Sequence, residues 1–280
     1  MSTTTRTSPS QSRAVQVGPV TFPRVVRAEW IKFWSLRSTY WNVAVTVLAM
    51  VAMALMMSAA ATVSVDGAPA GPDGSVVIGL GYSFGQIVVA VLGALMITGE
   101  YSTGMIRSSL AAVPARVPVL VAKALIIAVV AFVLGVVGVA LSYLVTYPIL
   151  GADVAADLGD PEVLRIFWGS GLYMAGVGLL GLGIGALLRH SAGAIATVLG
   201  VLLLLSTIVQ LLMMWSDTFT TVYPYLPSTA GEQIVTPDLG AMSMPGMPEM
   251  LDPWVGFGVL MAYVVVTLTA AAVLLRRRDA

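Results

Sequence analysis

Ala124-Leu125-Ile126-Ile127-Ala128-Val129-Val130-Ala131-Phe132-Val133-Leu134-Gly135-Val136-Val137-Gly138-Val139-Ala140-Leu141-Ser142-Tyr143-Leu144-Val145-Thr146-Tyr147 runs for 24 residues without Asp, Glu, Lys, Arg or His. A helix needs roughly 20 apolar residues to cross the hydrocarbon of a bilayer. Lys123 stands directly before the run, and the next charge after it is Asp153. Five more stretches of this kind flank it, at about Trp41–Ala61, Val76–Thr98, Ile166–Leu188, Ala192–Met214 and Trp254–Leu275. The segments between them sort their charges. Alternate segments hold Arg6, Arg13, Arg24, Arg27, Lys32, Arg37, Arg107, Arg116, Lys123, Arg189, Arg276, Arg277 and Arg278, and the other set holds only Arg165. Of the acids, Glu29, Glu100 and Asp279 join the basic set, and the remainder lie opposite. Basic residues near span ends stay cytoplasmic, so both termini are expected inside.

The expected fold is therefore all-α: a polytopic membrane protein of six transmembrane helices, with N- and C-terminus cytoplasmic. Composition agrees. The 280 residues are 58% hydrophobic and 10% charged, against about 25% charged in a globular domain. The formal net charge of zero sums a basic inner face, suited to anionic lipid, and an acidic outer one. That basic charge is too dispersed to suggest nucleic-acid binding. The absence of Cys excludes disulfides, thiolate metal sites and a Cys nucleophile. The first apolar run is too long, and starts too late, for the apolar core of a cleaved signal peptide.

Outside the spans, residues 1–21 are rich in Ser, Thr, Gln and Pro and read as a disordered cytoplasmic tail. Residues 22–40 read as an in-plane amphipathic helix. Pro23 suits a helix start, and Val26, Trp30, Phe33 and Trp34 share one face at i, i+4, i+7 and i+8. A basic helix with Trp and Phe on its apolar side lies in the interface. The six-span unit then covers 41–275, and 276–280 forms a basic cytoplasmic tail. Between spans two and three, Met105, Ile106, Leu110 and Val113 mark a short amphipathic helix that Pro114 ends. The fourth span is dense in glycine, and Gly181-x-x-x-Gly185 suits close helix packing. Gly81-x-x-x-Gly85 offers the same at the start of span two. The last outer segment, Trp215 to Pro253, has six prolines. It is too broken to span, but compatible with short interfacial or re-entrant helices.

Absent chemistry narrows the function. Ion-driven carriers use ionisable residues inside the membrane, and all six stretches lack them. The only lysines, Lys32 and Lys123, follow Ile31 and Ala122, so no phosphate-cradling G-x-x-x-x-G-K-[ST] loop exists in the chain. Any nucleotide hydrolysis belongs to a partner, and the loop Glu100–Arg116 is the natural place for that partner to push. No metal site is expected. His190 has no second His or Cys beside it, and it reads as a basic turn residue. Met242, Met244, Met247 and Met250 cluster outside, and thioethers bind Cu(I); an apolar loop tucked onto the bilayer is the plainer reading. Met50, Met53, Met56 and Met57 stripe the first span, read as packing or lipid contact.

Three motifs carry a resemblance. Arg24-Val25-Val26-Arg27-Ala28-Glu29-Trp30-Ile31-Lys32-Phe33-Trp34-Ser35-Leu36-Arg37 resembles the start of actinobacterial permeases of the type-2 ATP-binding-cassette exporter family. Gly99-Glu100-Tyr101-Ser102-Thr103-Gly104-Met105-Ile106-Arg107, followed by Pro114, Arg116 and Lys123, is similar to that family's loop between spans two and three. Leu188-Arg189-His190-Ser191-Ala192-Gly193 resembles its turn between spans four and five. The resemblance implies a connecting helix, six spans and a coupling helix docked on an ATPase subunit, in a bacterial plasma membrane. It implies two permeases, identical or sister chains, with two ATPases that bind the ATP and Mg; the chain itself would hold no cofactor. Glu100, Arg107 and Arg116 would sit at or beside the coupling helix, and an amphipathic, drug-like or lipid-like substrate would move outward. Two other classes compete. An intramembrane lipid-modifying enzyme needs converging reactive groups, and only scattered Ser142, Thr146, Ser206 and Thr207 are available. A non-transporting membrane assembly or immunity protein would have the same sequence pattern.

Overall fold

The computed structural model describes residues 21–62, 64–65, 68–69, 71–106, 116–237 and 248–277. Helix α1 covers Phe22–Ser35, with Pro23 in its first turn. At Leu36 the backbone turns extended, and α2 runs from Arg37 to Ala61. The Thr39 hydroxyl stitches the break by donating to the Phe33 carbonyl at 2.8 Å. A two-residue ladder pairs Ser64–Val65 with Ala68–Pro69 in the loop that follows. The second apolar stretch is divided. Helix α3, Gly74–Gly79, is capped by the Asp73 carboxylate, and α4 takes over at Tyr82 and continues to Thr103.

Helix α5 is Val117–Leu150, α6 is Pro161–Leu188 and α7 is Ser191–Leu199. A π turn at Gly200–Leu204 leads into α8, Leu205–Leu212. Two short helices follow, α9 at Asp217–Val222 and α10 at Pro227–Glu232. Helix α11, Pro253–Arg277, is the last. Six of these helical runs are long and apolar enough to cross a membrane. All-α architecture with six such helices is what the apolar stretches predict.

Helix α6 is the axis of the bundle, packed against α4, α5 and α11. Its glycines make that possible, because a missing side chain lets backbones approach. A Cβ at Gly93 of α4 would collide with the Gly178 carbonyl, and one at Gly181 with the Ala90 carbonyl. At Gly185 it would stand 2.8 Å from the Ala94 carbonyl. On the α5 side, a Cβ at Gly135 would overlap the Ser170 carbonyl. The methionine stripe of α2 splits: Met50 is fully buried and Met56 is exposed. Gly81, Gly85 and Gly138 make the room that Met50 fills.

Several boundaries differ from the sequence expectation. Helix α5 begins at Val117, seven residues before Ala124, with Lys123 inside it. The connecting helix stops at Ser35, and α2 starts four residues earlier than Trp41. Against the bundle α1 buries Val25, Glu29 and Phe33, and Trp30 is 41% exposed. Glu29 is the only carboxylate of this helix. It points inward because a partner waits there.

Candidate functional site

That partner is Lys123. On α5 the buried positions Val119, Ala122, Lys123, Ile126 and Ile127 share one face, so helical geometry turns this lysine toward the bundle. Its side chain is 2% exposed, and its ammonium donates to Glu29 Oε2 at 2.5 Å and to Glu100 Oε1. Lys32, one turn beyond Glu29 on α1, donates to the same Glu100 oxygen. Glu100 lies in the last turn of α4 and is 5% exposed. Two lysines and two glutamates thus form a charge-balanced clamp across α1, α4 and α5. They are the only lysines in the chain. Buried charges persist only when paired and hydrogen-bonded, and here each ammonium answers a carboxylate.

Other contacts fix the same end of the molecule, termed the basic end. Arg116, at the N-terminal edge of α5, donates through Nη1 to the Leu275 carbonyl at 3.2 Å. A cation there complements the exposed carbonyls at the end of α11. The Arg189 guanidinium lies 5.2 Å from the centroid of the Tyr101 ring, a cation–π distance. It joins the end of α4 to the turn between α6 and α7. In that turn His190 caps α7, accepting at Nδ1 from the Gly193 amide at 3.1 Å. The loop that starts after Thr103 is therefore anchored on both margins, by Glu100 and Tyr101 before it and by Arg116 and Lys123 after it.

Among the residues singled out from sequence, Glu100 sits in the clamp, its carboxylate turned into the bundle. Arg116 reaches α11. Arg107 lies outside the described residues, as do most of the predicted loop helix and Met242, Met244 and Met247. Phe33 is buried. Trp34 stacks edge-on against Phe33 and Trp30, while Trp30 itself faces outward. Gly181 and Gly185 lie against α4. Sequence reasoning missed Glu29, Lys32 and Lys123 as a unit. The available signal was Glu29 and Glu100, two of only three acids on the side that also holds both lysines.

The opposite end carries a second polar centre. Residues Leu226 to Val235 fold back into the bundle and are mostly buried. Arg165, the one basic residue on its side, holds the end of this segment. Its Nη1 donates to the Gln233 and Ile234 carbonyls at 2.9 and 3.1 Å, and its Nη2 to the Thr236 carbonyl at 3.1 Å. Glu162 pairs with the same guanidinium at 3.3 Å. Deeper in, Tyr173 donates to Gln86 Oε1 at 2.6 Å and stands 3.5 Å from Glu232 Oε1.

Burial pushes the Glu232 carboxyl from an ordinary 4.5 up to about 7, against hydrogen bonds from Tyr82, Tyr173 and Gln86 that favour the charged form. The raised value means that the folded chain holds this proton more tightly than the unfolded one. Its contribution to stability is complete below pH 4.5 and is lost as pH rises through 7. A change of this size corresponds to roughly 3 kcal/mol. Thermal unfolding in detergent is expected to show a midpoint that falls between pH 4.5 and 7, and Glu232→Gln is expected to remove most of that slope.

The apolar helices and the clamp at one end together define a multi-pass helical membrane protein whose charged residues gather toward the ends of its long helices. The family model described as ABC-2 family transporter protein matches residues 43–280. The chain belongs to the ABC-2 transporter family, and so is the membrane-spanning permease component of an ATP-binding-cassette transporter. A search of curated proteins returns no match.

Proposed function

We propose that this permease converts strokes of a separate ATPase subunit into outward movement of an amphipathic, drug-like or lipid-like molecule. The ATPase carries the ATP and Mg. The basic end faces the cytoplasm of a bacterial cell across its plasma membrane, as the charge asymmetry favours. A second permease, identical or sister, completes the path. The observation that carries the reading is the anchoring of the loop between Thr103 and Arg116. A partner pressing on that loop pushes at once on α4 and α5, and through the clamp on α1. Glu100 then acts through this clamp and not by touching the ATPase, while Arg107 and Arg116 lie nearer the partner.

Co-purification from native membrane tests the proposal. The chain is expected to bring down a nucleotide-binding subunit, to hydrolyse no ATP alone, and to gain vanadate-sensitive hydrolysis with that subunit. Recovery without any ATPase would defeat it. So would labelling that places cysteines introduced at Arg107 and Arg276 on opposite faces of the membrane.

A further inference from the structure

Beside the clamp is a pocket of about 320 Å3, at the small end of the range for ligand sites. Leu92, Leu95 and Met96 of α4 line it with apolar side chains, together with Thr39 and Asn42 of α2 and the four clamp residues. The charges of the clamp are distributed unevenly over Glu100. Both ammonium groups converge on Oε1, whereas Oε2 is buried and meets no donor. An ionised carboxylate has acceptor capacity on both oxygens, and a buried acceptor without a partner is costly. Four hydroxyls that line the pocket are already engaged elsewhere. Ser35 donates to the Lys32 carbonyl, Thr39 to that of Phe33, and Ser102 and Thr103 to that of Gly99.

We propose that the pocket binds the head of an amphipathic primary amine, whose ammonium donates to Glu100 Oε2 while its alkyl part lies along Leu92, Leu95 and Met96. The clamp itself motivates this chemistry. A lysine side chain is an alkylammonium, and this carboxylate already holds two of them on one oxygen. Charge-assisted N–H donors are the strong partners of a carboxylate, and the apolar wall matches a hydrocarbon tail. Lys32 has a side chain 22% exposed against 2% for Lys123. It is the clamp member at the rim, so an ammonium added at Oε2 weakens the hold of Glu100 on this lysine first. Occupancy would then loosen the tie between α1 and the end of α4 that leads into the loop. The inference deepens the exporter reading by naming a class of cargo. The amine could be a membrane lipid headgroup or an independent amphiphile.

The test uses the full chain in nanodiscs of phosphatidylcholine and phosphatidylglycerol, which contain no primary amine. Calorimetric titration with dodecylamine, corrected by empty nanodiscs, is expected to saturate. Dodecyltrimethylammonium carries the charge but no N–H, and is expected to bind at least about tenfold more weakly. Met96→Trp fills the pocket, retains all four charged residues and is expected to abolish the saturable signal; Glu100→Gln is expected to weaken it. Equal binding of the two head groups, or a Met96→Trp titration like that of the wild type, overturns the proposal. Should Glu100→Gln fail to fold, Met96→Trp decides alone. Doping the discs with phosphatidylethanolamine separates the sources: competition with dodecylamine assigns a lipid, and its absence assigns an independent amphiphile. No ATPase is present, so failure of the pocket is distinguishable from failure to recruit the partner subunit.

Discussion

Lys123→Met is expected to destabilise the permease by about 3–5 kcal/mol, the cost of removing one partner from a buried ion pair. The lysine is 1% exposed and is the link common to Glu29 and Glu100. Without it two carboxylates remain in a poorly hydrated interior, with Lys32 reaching only one of them. Lys32→Met is expected to cost less, because its side chain is partly exposed and solvent screens what remains. The order of the two unfolding midpoints in detergent is the measurement. A Lys32 variant as unstable as the Lys123 variant would contradict a clamp centred on α5. Adding Glu29→Gln and Glu100→Gln to Lys123→Met is expected to recover part of the loss, since neutral amides need no counter-charge. Simple loss of packing would show no such recovery.

Gly93→Ala has the second large expected effect. A single methyl there overlaps the Gly178 carbonyl of the facing helix. A flexible side chain can swing away from an added group, but backbone cannot. Helices α4 and α6 must part, and the neighbouring contacts of Gly181 with Ala90 and of Gly185 with Ala94 open with them. The expected cost is about 3 kcal/mol or more, at the upper end for overpacking. Folded yield on size-exclusion chromatography should fall accordingly. Gly258→Ala is the matched control. It lies in α11 with nothing within 4 Å of the added carbon, and is expected to be neutral or stabilising by about 0.5–1 kcal/mol.

The spans were legible because hydrocarbon tolerates no charge without compensation, so uncharged runs report on the bilayer directly. The same logic misplaced the start of α5. A lysine reads as the edge of a span when taken alone, and Lys123 is internal only because two glutamates from distant segments neutralise it. The burial of Glu29 on α1 was not legible for the matching reason. Glu29 is polar by type, and its burial depends on a residue 94 positions away. Glu100 was visible as an unusual acid on a basic side, but sequence alone made it a contact for a partner. In the structure it faces inward. The folded-back segment near Glu232 was legible as a broken, proline-rich stretch able to dip inward. Which carbonyls Arg165 would gather was not, because that depends on tertiary approach. The lone arginine on the acidic side was nevertheless the flag, being the single basic residue there.

The folded-back segment also sets an order on biogenesis. Its seat has three walls. Gly169 of α6 takes the Ile234 carbonyl against its backbone, Gly79 of α3 approaches the Val235 carbonyl, and Gly256 of α11 lies against the Ala230 carbonyl. The first two are translated before the segment that rests on them; the third emerges from the ribosome afterwards. A nascent chain that has inserted five helices can dock Arg165 but leaves one side of the cradle open. Closure of the far half of the molecule thus waits on the final helix.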